Sequence, residues 1–292
     1  MNYTIFLGCT IPSRQLNYEQ SARAVTRALG IDLTEVDFGC CGFPIEPIDE
    51  SKALSMAAMN LKKAQEVGHD VVALCSACGE MLLKAKSILE KDEYTKTNVN
   101  KILTQQLETS YENENPRIIH FARMLYEDIG IDNIKKFIKR PLKGLKIATH
   151  PGCHFVRPST LFENFDDPEF PSSLDRLVDA TGAQSVDYEG KIDCCGGGIL
   201  AVKEGLAKSM TRKKLETLSQ MGVDALVLIC PFCGIMYDRY QKLMASEIEK
   251  EFNIPILYYP QLLGLALGIN PEDLGFDVNS ISIDGFIEKV GV

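Results

Sequence analysis

The sequence predicts an α/β fold made of two similar halves, each with a small, mainly parallel sheet and flanking helices. Three observations support this. Short apolar runs alternate with longer stretches of helical periodicity, as in βαβ units. The apolar runs are continuous, as expected for strands buried on both faces of a parallel sheet. A pattern of five cysteines occurs twice along the 292-residue chain.

The predicted strands are the apolar runs that precede the cysteines. In each half, one run precedes the first cysteine of the pattern, a weaker run precedes an adjacent pair, and a third precedes the last two. The runs are residues 3–7, 33–36 and 70–74, then 145–149, 184–186 and 224–229. Because parallel strands collect ligands at their carboxyl ends, the cysteines of each half are expected to converge there.

The predicted helices are the segments with helical spacing between these runs. They cover residues 19–29, 51–67, 79–91, 174–181, 200–221 and 235–250, and the tail from Pro255 resembles a final strand and helix. The region 91–142, polar at first and helical over 117–137, has no evident partner in the second half and is interpreted as an insertion. The predicted domains are therefore residues 1–143, with this insertion, and residues 144–292.

Composition limits the function. The chain carries 40 acidic and 31 basic residues, a net charge of −9, which is the wrong sign for a general nucleic-acid binder. No apolar stretch approaches the roughly 18 residues of a membrane span. The N-terminal residues show neither a basic flank nor a cleavage site, so a cytoplasmic location is expected.

The cysteine pattern is the strongest signal. The gaps between successive cysteine sites are 30, 33 and 2 residues in the first copy and 40, 34 and 2 in the second. No cysteine is left over: the copies are Cys9, Cys40, Cys41, Cys75 and Cys78, then Cys153, Cys194, Cys195, Cys230 and Cys233. Structural disulfides are a poor explanation, because this chain is large, has an ample core and shows no export signal.

Metal binding explains the pattern best. A thioredoxin-like redox pair or a zinc site would use only some of the cysteines, since zinc needs four thiolates and each copy offers five. Glycines follow both adjacent pairs, Gly42 in one copy and Gly196 in the other, and allow the sharp turn that brings two neighbouring thiolates to one centre. Two iron–sulfur clusters are favoured, with zinc sites or unligated redox thiols as the alternatives.

These residues carry a family resemblance. The doubled pattern, the segment around Cys153 (HPGCH) and the run CCGGG from Cys194 resemble the paired "CCG" domains of the catalytic B subunit of heterodisulfide reductase from methanogenic archaea. The resemblance implies a noncubane [4Fe-4S] cluster on each five-cysteine set. It also implies that the mixed disulfide of coenzyme M and coenzyme B is reduced to two thiols between the clusters.

Related CCG proteins are the main alternative: the iron–sulfur electron-transfer subunits of glycolate, lactate and succinate oxidoreductases. Several of them carry a fused ferredoxin module with a CxxCxxCxxxCP run. No such run occurs in this sequence. The resemblance therefore implies a separate small ferredoxin-like subunit and a flavin-containing subunit as partners, with hydrogenase or formate dehydrogenase as the electron source.

Substrate anions need local donors on an acidic protein. Arg14 and Arg157 follow the first cysteine of each copy at similar offsets, and Lys191 precedes the second cysteine pair; these are the candidate substrate-binding residues. The alternative for each of the three residues is a solvated surface charge with no role in binding. His154, beside Cys153, is the candidate catalytic residue, as a proton donor to a departing thiolate. Alternatively it hydrogen-bonds cluster sulfurs or caps the loop.

Overall fold

Two four-stranded parallel sheets organise the chain in a computed structural model that describes residues 1–113, 116–248 and 251–292. The α/β prediction is confirmed. The first sheet contains β1 (Asn2–Phe6), β2 (Asp32–Thr34), β3 (Asp70–Ala73) and β4 (Ile118–His120), and the second contains β5 (Lys146–His150), β6 (Gln184–Val186), β7 (Ala225–Leu228) and β8 (Ile256–Tyr258).

The two sheets have the same topology. Their strand orders are β2-β1-β3-β4 and β6-β5-β7-β8. Their registers match as well: Phe6 pairs with Ala73 in the first sheet and His150 with Leu228 in the second. Ala73 and Leu228 each lie two residues before the first cysteine of a CxxC turn, and Phe6 and His150 each lie three residues before the first cysteine of a copy. The sequence duplication is thus a duplication of the fold.

Helices cover both sheets. The longest pair, in corresponding positions, ends at Gly68 and Gly222, which both adopt the left-handed conformation with φ of 74° and 61°. In chain order the helices are α1 (Thr10–Arg14), α2 (Leu16–Ala28), α3 (Glu50–Val67), α4 (Ser76–Lys91), α5 (Glu93–Leu107), α6 (Phe121–Met124), α7 (Ile131–Phe137), α8 (Ser173–Ala180), α9 (Glu204–Met221), α10 (Pro231–Gly234), α11 (Tyr240–Ile248), α12 (Tyr259–Ala266) and α13 (Asp284–Val290).

Shorter turns complete the fold. Segments of π-helix join α6 to α7 and α10 to α11, at Leu125–Gly130 and Ile235–Arg239. Single 3₁₀ turns occur at Ser159–Phe162, Gly197–Ile199, Pro271–Leu274 and Phe276–Val278. None of the helices within the described residues is long and apolar enough to cross a membrane.

The prediction of a helix over 117–137 is wrong at its start, where β4 pairs with β3. Because β4 corresponds to β8, the predicted insertion has a counterpart in the second half from Ile118 onward. The predicted helix over 200–221 begins only at Glu204. The end of the predicted helix 235–250, residues 249–250, lies outside the described residues. The domain boundary predicted after residue 143 falls in the loop between α7 and β5 and stays a prediction.

The two halves pack against each other through buried tyrosines. Tyr18 of α2 and Tyr258 of β8 stack with ring centroids 4.0 Å apart and an interplanar angle of 5°. Tyr18 donates a hydrogen bond to the carbonyl of Ile229, at 3.1 Å, and Tyr258 donates to Oε1 of Gln15, at 2.9 Å. The buried apolar residues of both halves form one continuous core. This packing holds together the carboxyl ends of the two sheets, where the cysteines lie.

Candidate metal centre

The cysteines lie where strands end, as predicted. Cys75 and Cys230 are the residues immediately before α4 and α10, and Cys78 and Cys233 lie in the first turn of those helices. Helix N-termini favour thiolates because the backbone amides there and the helix dipole stabilise negative charge. β1 pairs in parallel with β3, and β5 with β7, so the carboxyl ends of the two strands lie side by side. In each half, the first cysteine of the copy therefore lies near the CxxC turn.

Within each half the five thiols contact one another in sequence. No disulfide joins any of the cysteines, all of which are among the described residues. Cys195 Sγ and Cys233 Sγ are 3.4 Å apart. The first set runs Cys9, Cys40, Cys41, Cys78, Cys75, and the second runs Cys153, Cys194, Cys195, Cys233, Cys230.

The two sets meet. The thiol of Cys75 contacts that of Cys230, so all ten sulfurs form one chain of contacts. Cys75 and Cys230 are buried, whereas Cys9 and Cys194, near the outer ends, are exposed. Each set therefore runs from solvent to the junction between the halves, where the two sets meet.

Hydrogen bonds between these thiols, together with their burial, shift the pKa values of the thiols strongly. Hydrogen bonds from Cys153 and then Cys195 lower the pKa of Cys194 to about 2. Its hydrogen bond to Cys194 raises the pKa of Cys195 to about 12, with burial adding to the effect. Crowded thiols of this kind cannot all ionise unless a cation compensates the charge. A group of several metal ions would supply that charge, and soft thiolates are the ligands that iron–sulfur clusters use.

Glycine shapes the turn after each adjacent cysteine pair. Gly42 and Gly196 have φ of 95° and 84°, and their amide nitrogens lie 3.5 Å and 3.4 Å from Cys40 Sγ and Cys194 Sγ. A side chain would not fit, since a Cβ on Gly42 would lie 2.5 Å from the carbonyl oxygen of Ala53. The role assigned to these glycines from the sequence, a sharp turn with close backbone approach, agrees with this geometry.

The second half contains a buried polar pair, Lys214 and His150, whose contact was not predicted from the sequence. Lys214 of α9 donates from Nζ to Nδ1 of His150, at 2.8 Å. A ring nitrogen of His150 lies within 4.8 Å of Sγ of both Cys195 and Cys233. Burial lowers the pKa of His150 to about 3 and that of Lys214 to about 8, so at neutral pH the imidazole is neutral and the lysine charged.

An unpartnered donor supports occupation of this site by a bound group. Nδ1 of His150 lies 2.8 Å from Nζ of Lys214 and 3.1 Å from the carbonyl oxygen of Lys191. Since an ammonium can only donate, the shorter contact makes Nδ1 the acceptor and places the ring proton on Nε2. Nε2 has no hydrogen-bond partner among the described residues. Buried polar groups in proteins are almost always hydrogen-bonded. Five converging thiols with an orphaned imidazole donor therefore fit a thiolate-held metal–sulfur group better than a four-ligand zinc ion.

His154 lies at the junction of the halves. Its Nδ1 is 3.8 Å from Oε2 of Glu80, and its ring meets that of Phe43 edge-on with centroids 4.9 Å apart. Phe232, inside the second CxxC turn, is 6.3 Å from Phe43. Glu80 was not predicted from the sequence, and its position two residues after Cys78 was the available signal. Burial raises the pKa of this carboxyl to about 7.

The three predicted anion-binding residues have different environments. Arg14 is exposed at the end of α1, which contacts α10 of the other half, and in the described part of the chain it has no partner. Arg157 donates from Nε to the carbonyl of Pro168 at 2.9 Å, and a second guanidinium nitrogen bonds the same oxygen. Lys191 pairs with the carboxylate of Asp175. Only Arg14 is available without breaking an existing contact.

His120 has a structural role. Its Nδ1 accepts from the amide of Ala122, at 3.1 Å, so Nε2 carries the proton and donates to the carbonyl of Ile229, at 3.0 Å. Burial lowers the pKa of His120 to about 4, which keeps the ring neutral. Since Ile229 immediately precedes Cys230, this hydrogen bond and that of Tyr18 fix the second CxxC turn from the first half.

Comparison with known proteins agrees with this geometry. The chain matches the family of CCG cysteine-rich domains twice, over residues 3–83 and 147–238. It is 35% identical over 293 residues to the B subunit of the ferredoxin:CoB-CoM heterodisulfide reductase of Methanosarcina mazei, covering 98% of this chain and 96% of the relative. It is 31% identical over 281 residues to the 8-methylmenaquinol:fumarate reductase membrane anchor subunit of Wolinella succinogenes, covering 96% of each chain.

The fold has also been seen in a solved structure. The crystal structure of a hypothetical protein from Helicobacter pylori superposes with a TM-score of 0.78 at 17% identity, over 97% of this chain and 52% of that one. The duplicated parallel sheet with its gathered thiols defines the class, a protein with paired cysteine-rich CCG domains. Within that class, the chain belongs to the family of heterodisulfide reductase B subunits.

Proposed function

We propose that the chain is the catalytic subunit of a heterodisulfide reductase, which reduces the mixed disulfide of coenzyme M and coenzyme B to the two thiols. The observation that carries the proposal is the meeting of two complete five-thiol sets at Cys75 and Cys230. A disulfide needs two electrons and two protons to give two thiols, and a cluster passes one electron at a time. Two adjacent centres therefore match the stoichiometry, and the name of the Methanosarcina mazei relative supports the substrate.

Each five-cysteine set would hold one noncubane [4Fe-4S] cluster. Bound there, the two clusters would supply the electrons for cleavage of the disulfide. The chain's own residues hold and shape the site: Gly42 and Gly196 admit the turns, the clamped carbonyl of Ile229 fixes the second CxxC turn, and the orphaned Nε2 of His150 donates toward the second centre.

The polar residues predicted from the sequence would bind the substrate. His154 is partly exposed between Glu80 and Phe43, and it would donate a hydrogen bond to a product thiolate. Arg14 would hold a substrate anion directly. Arg157 and Lys191 would do so only by exchanging Pro168 and Asp175 for the substrate, so we expect them to contribute less.

A small ferredoxin-like iron–sulfur subunit and a flavin-containing subunit would deliver the electrons, fed by hydrogenase or formate dehydrogenase. The name of the Methanosarcina mazei relative, one subunit of a ferredoxin-dependent reductase, supports a multisubunit complex. The exposed thiols near the two ends of the chain of contacts, Cys9 and Cys194, are where such a partner could approach the clusters.

The test combines spectroscopy with an assay. Anaerobically purified protein should show broad visible absorption that bleaches on reduction, and iron analysis should count two four-iron clusters. The protein, reduced by a viologen dye, should then cleave the heterodisulfide. A colourless protein that contains zinc would contradict the whole proposal.

The second candidate is an electron-transfer subunit of another CCG-type oxidoreductase, of the glycolate, lactate or succinate kind. The observation in its favour is the 31% identity to a subunit of a fumarate reductase in Wolinella succinogenes. The same assay separates the two candidates. Protein with both clusters that bleaches reversibly but does not cleave the heterodisulfide would be an electron carrier.

We expect Arg14→Ala to weaken substrate capture while leaving the iron content unchanged. A charge-assisted contact to a phosphate or sulfonate contributes about 1.5–3 kcal/mol. At about 1.4 kcal/mol per decade, kcat/KM should fall roughly 10- to 150-fold at low salt. Arg27→Ala, which removes an exposed arginine from the last turn of α2, is the matched control. Equal kinetics in both variants would assign Arg14 to the solvated surface.

A further inference from the structure

The two metal centres are braced by different residues at the same place in the fold. Asn60 of α3 lies 19 residues after Cys41 and 8 residues before Gly68, which ends the helix. Lys214 of α9 lies at the same distances from Cys195 and Gly222. Ala53 and Ala207, at matching positions of the same helices, contact Gly42 and Gly196 in the same way. Asn60 and Lys214 are therefore structural equivalents.

Their contacts confirm the equivalence and show the difference. Asn60 accepts from the amide of Gly39 at 2.8 Å and donates to the carbonyl of Cys40 at 2.9 Å. Lys214 donates to the carbonyl of Asp193, the residue before Cys194, at 3.0 Å and to that of Lys191 at 2.9 Å. Both side chains hold the segment that leads into the cysteine pair. One is a neutral amide and the other an ammonium.

The residue beside the thiols differs as well. His150 ends β5, and the strand register makes it the counterpart of Phe6, which ends β1. Phe6 is fully buried and packs against Phe38 with ring centroids 4.9 Å apart. The first half therefore offers an apolar ring where the second offers an imidazole with a free N–H donor.

Among the described residues, no carboxylate lies within salt-bridge distance of Nζ of Lys214. Its side chain is buried between the rings of Tyr188 and Tyr237, with Nζ 5.7 Å and 5.6 Å from their centroids, and within the described residues it makes no salt bridge. The nearby carboxylate, that of Asp193, lies 3.8 Å from the exposed Lys213 instead. A buried cation without a partner is strongly destabilising. Burial lowers the pKa of Lys214, and nearby anion-forming groups oppose that effect: the thiols of Cys233 and Cys195 most, then the carboxylate of Asp193 and the thiol of Cys194.

We propose that Lys214 and His150 act as an electrostatic pair that makes the centre of the second half easier to reduce than that of the first. This rests on the proposed function, which places a cluster in each half. Positive charge and hydrogen bonds near cluster sulfurs raise the reduction potential. Lys214 supplies the charge and orients the imidazole, and the matching residues Asn60 and Phe6 supply neither. An electron entering the protein therefore settles in the second half first.

The test is a redox titration of the anaerobic, iron-loaded protein, followed by absorbance and electron paramagnetic resonance. Lys214→Gln should lower the equilibrium constant for one-electron reduction of one centre at least tenfold, a shift of about 59 mV, and leave the other unchanged. Lys214→Arg, which keeps the charge, should restore the potential. Lys213→Gln removes a charge from the neighbouring exposed lysine and should shift neither. The centre that remains in a Cys78→Ser protein identifies the second half.

The outcomes separate this inference from the proposed function. Protein without iron would overturn the proposed function itself. Two loaded centres whose potentials do not respond to Lys214→Gln, or respond equally to Lys213→Gln, would overturn the inference alone. If the Lys214→Gln protein does not bind its clusters, the titration is done on His150→Phe instead. That substitution places phenylalanine, the residue found at the matching position Phe6 of the first half, in the second half. An unchanged potential in that variant would contradict the pair's role.

Discussion

Replacing Cys78 or Cys233 with serine is expected to remove about half of the iron and nearly all of the steady-state reductase activity. Each is an inner member of its set: Cys78 contacts both Cys41 and Cys75, and Cys233 contacts both Cys195 and Cys230. A serine hydroxyl is a harder and far less acidic ligand than a thiol and does not suit iron–sulfur clusters. The remaining half keeps five thiols and should keep its cluster.

Iron analysis and the viologen-coupled assay measure both effects. Ser76→Ala is a suitable control, since it alters the same CxxC turn without removing a thiol, and it should retain both clusters. The double variant Cys78→Ser/Cys233→Ser should contain almost no iron. Full activity in either single variant would mean that one cluster suffices, and it would contradict a mechanism that needs two adjacent centres.

Alanine at Gly42 or Gly196 is expected to destabilise the protein severely and to empty the corresponding centre. The left-handed conformation costs a non-glycine residue about 1–3 kcal/mol, and forcing a methyl group into a packed site costs about 1–3 more. At Gly196 the new Cβ would lie 2.8 Å from Cα of Ala207. Because this contact is with backbone, α9 would have to move away from the cysteine pair. We therefore expect a loss of about 2–6 kcal/mol.

Gly198→Ala is the matched control for this pair. Gly198 lies two residues further along the same loop, its φ is not positive, and a Cβ there would meet no atom within 4 Å. It should melt at nearly the wild-type temperature and hold the same amount of iron. Anaerobic thermal unfolding and iron content decide the result. Melting of Gly196→Ala at the temperature of Gly198→Ala would show that the turn tolerates a side chain.

The fold class could be predicted because its signals are local. The longer strands are mainly apolar, and most of the long helices have their own periodicity. The exception is α5, which was not predicted and which buries only Val99 and Leu103. The failures came where the local signal is weak. β4 has three residues, Ile118–His120, too few to show a strand pattern, and it runs directly into α6. Its strand conformation is imposed by pairing with β3, a contact with a segment more than 40 residues away.

The sequence alone determined the ten cysteines, their division into two sets and the glycine turns beside them, because spacing and residue type are properties of the chain. Only the tertiary structure showed that the sets meet at Cys75 and Cys230 and that Lys214 holds His150 beside the second set. A lysine in a helix is expected to be exposed to solvent, yet Lys214 is only 4% exposed. Its environment is created by packing between α9, β5 and the loop before Cys194. Such contacts join residues distant in sequence, and their energies depend on burial and partners that no local pattern encodes.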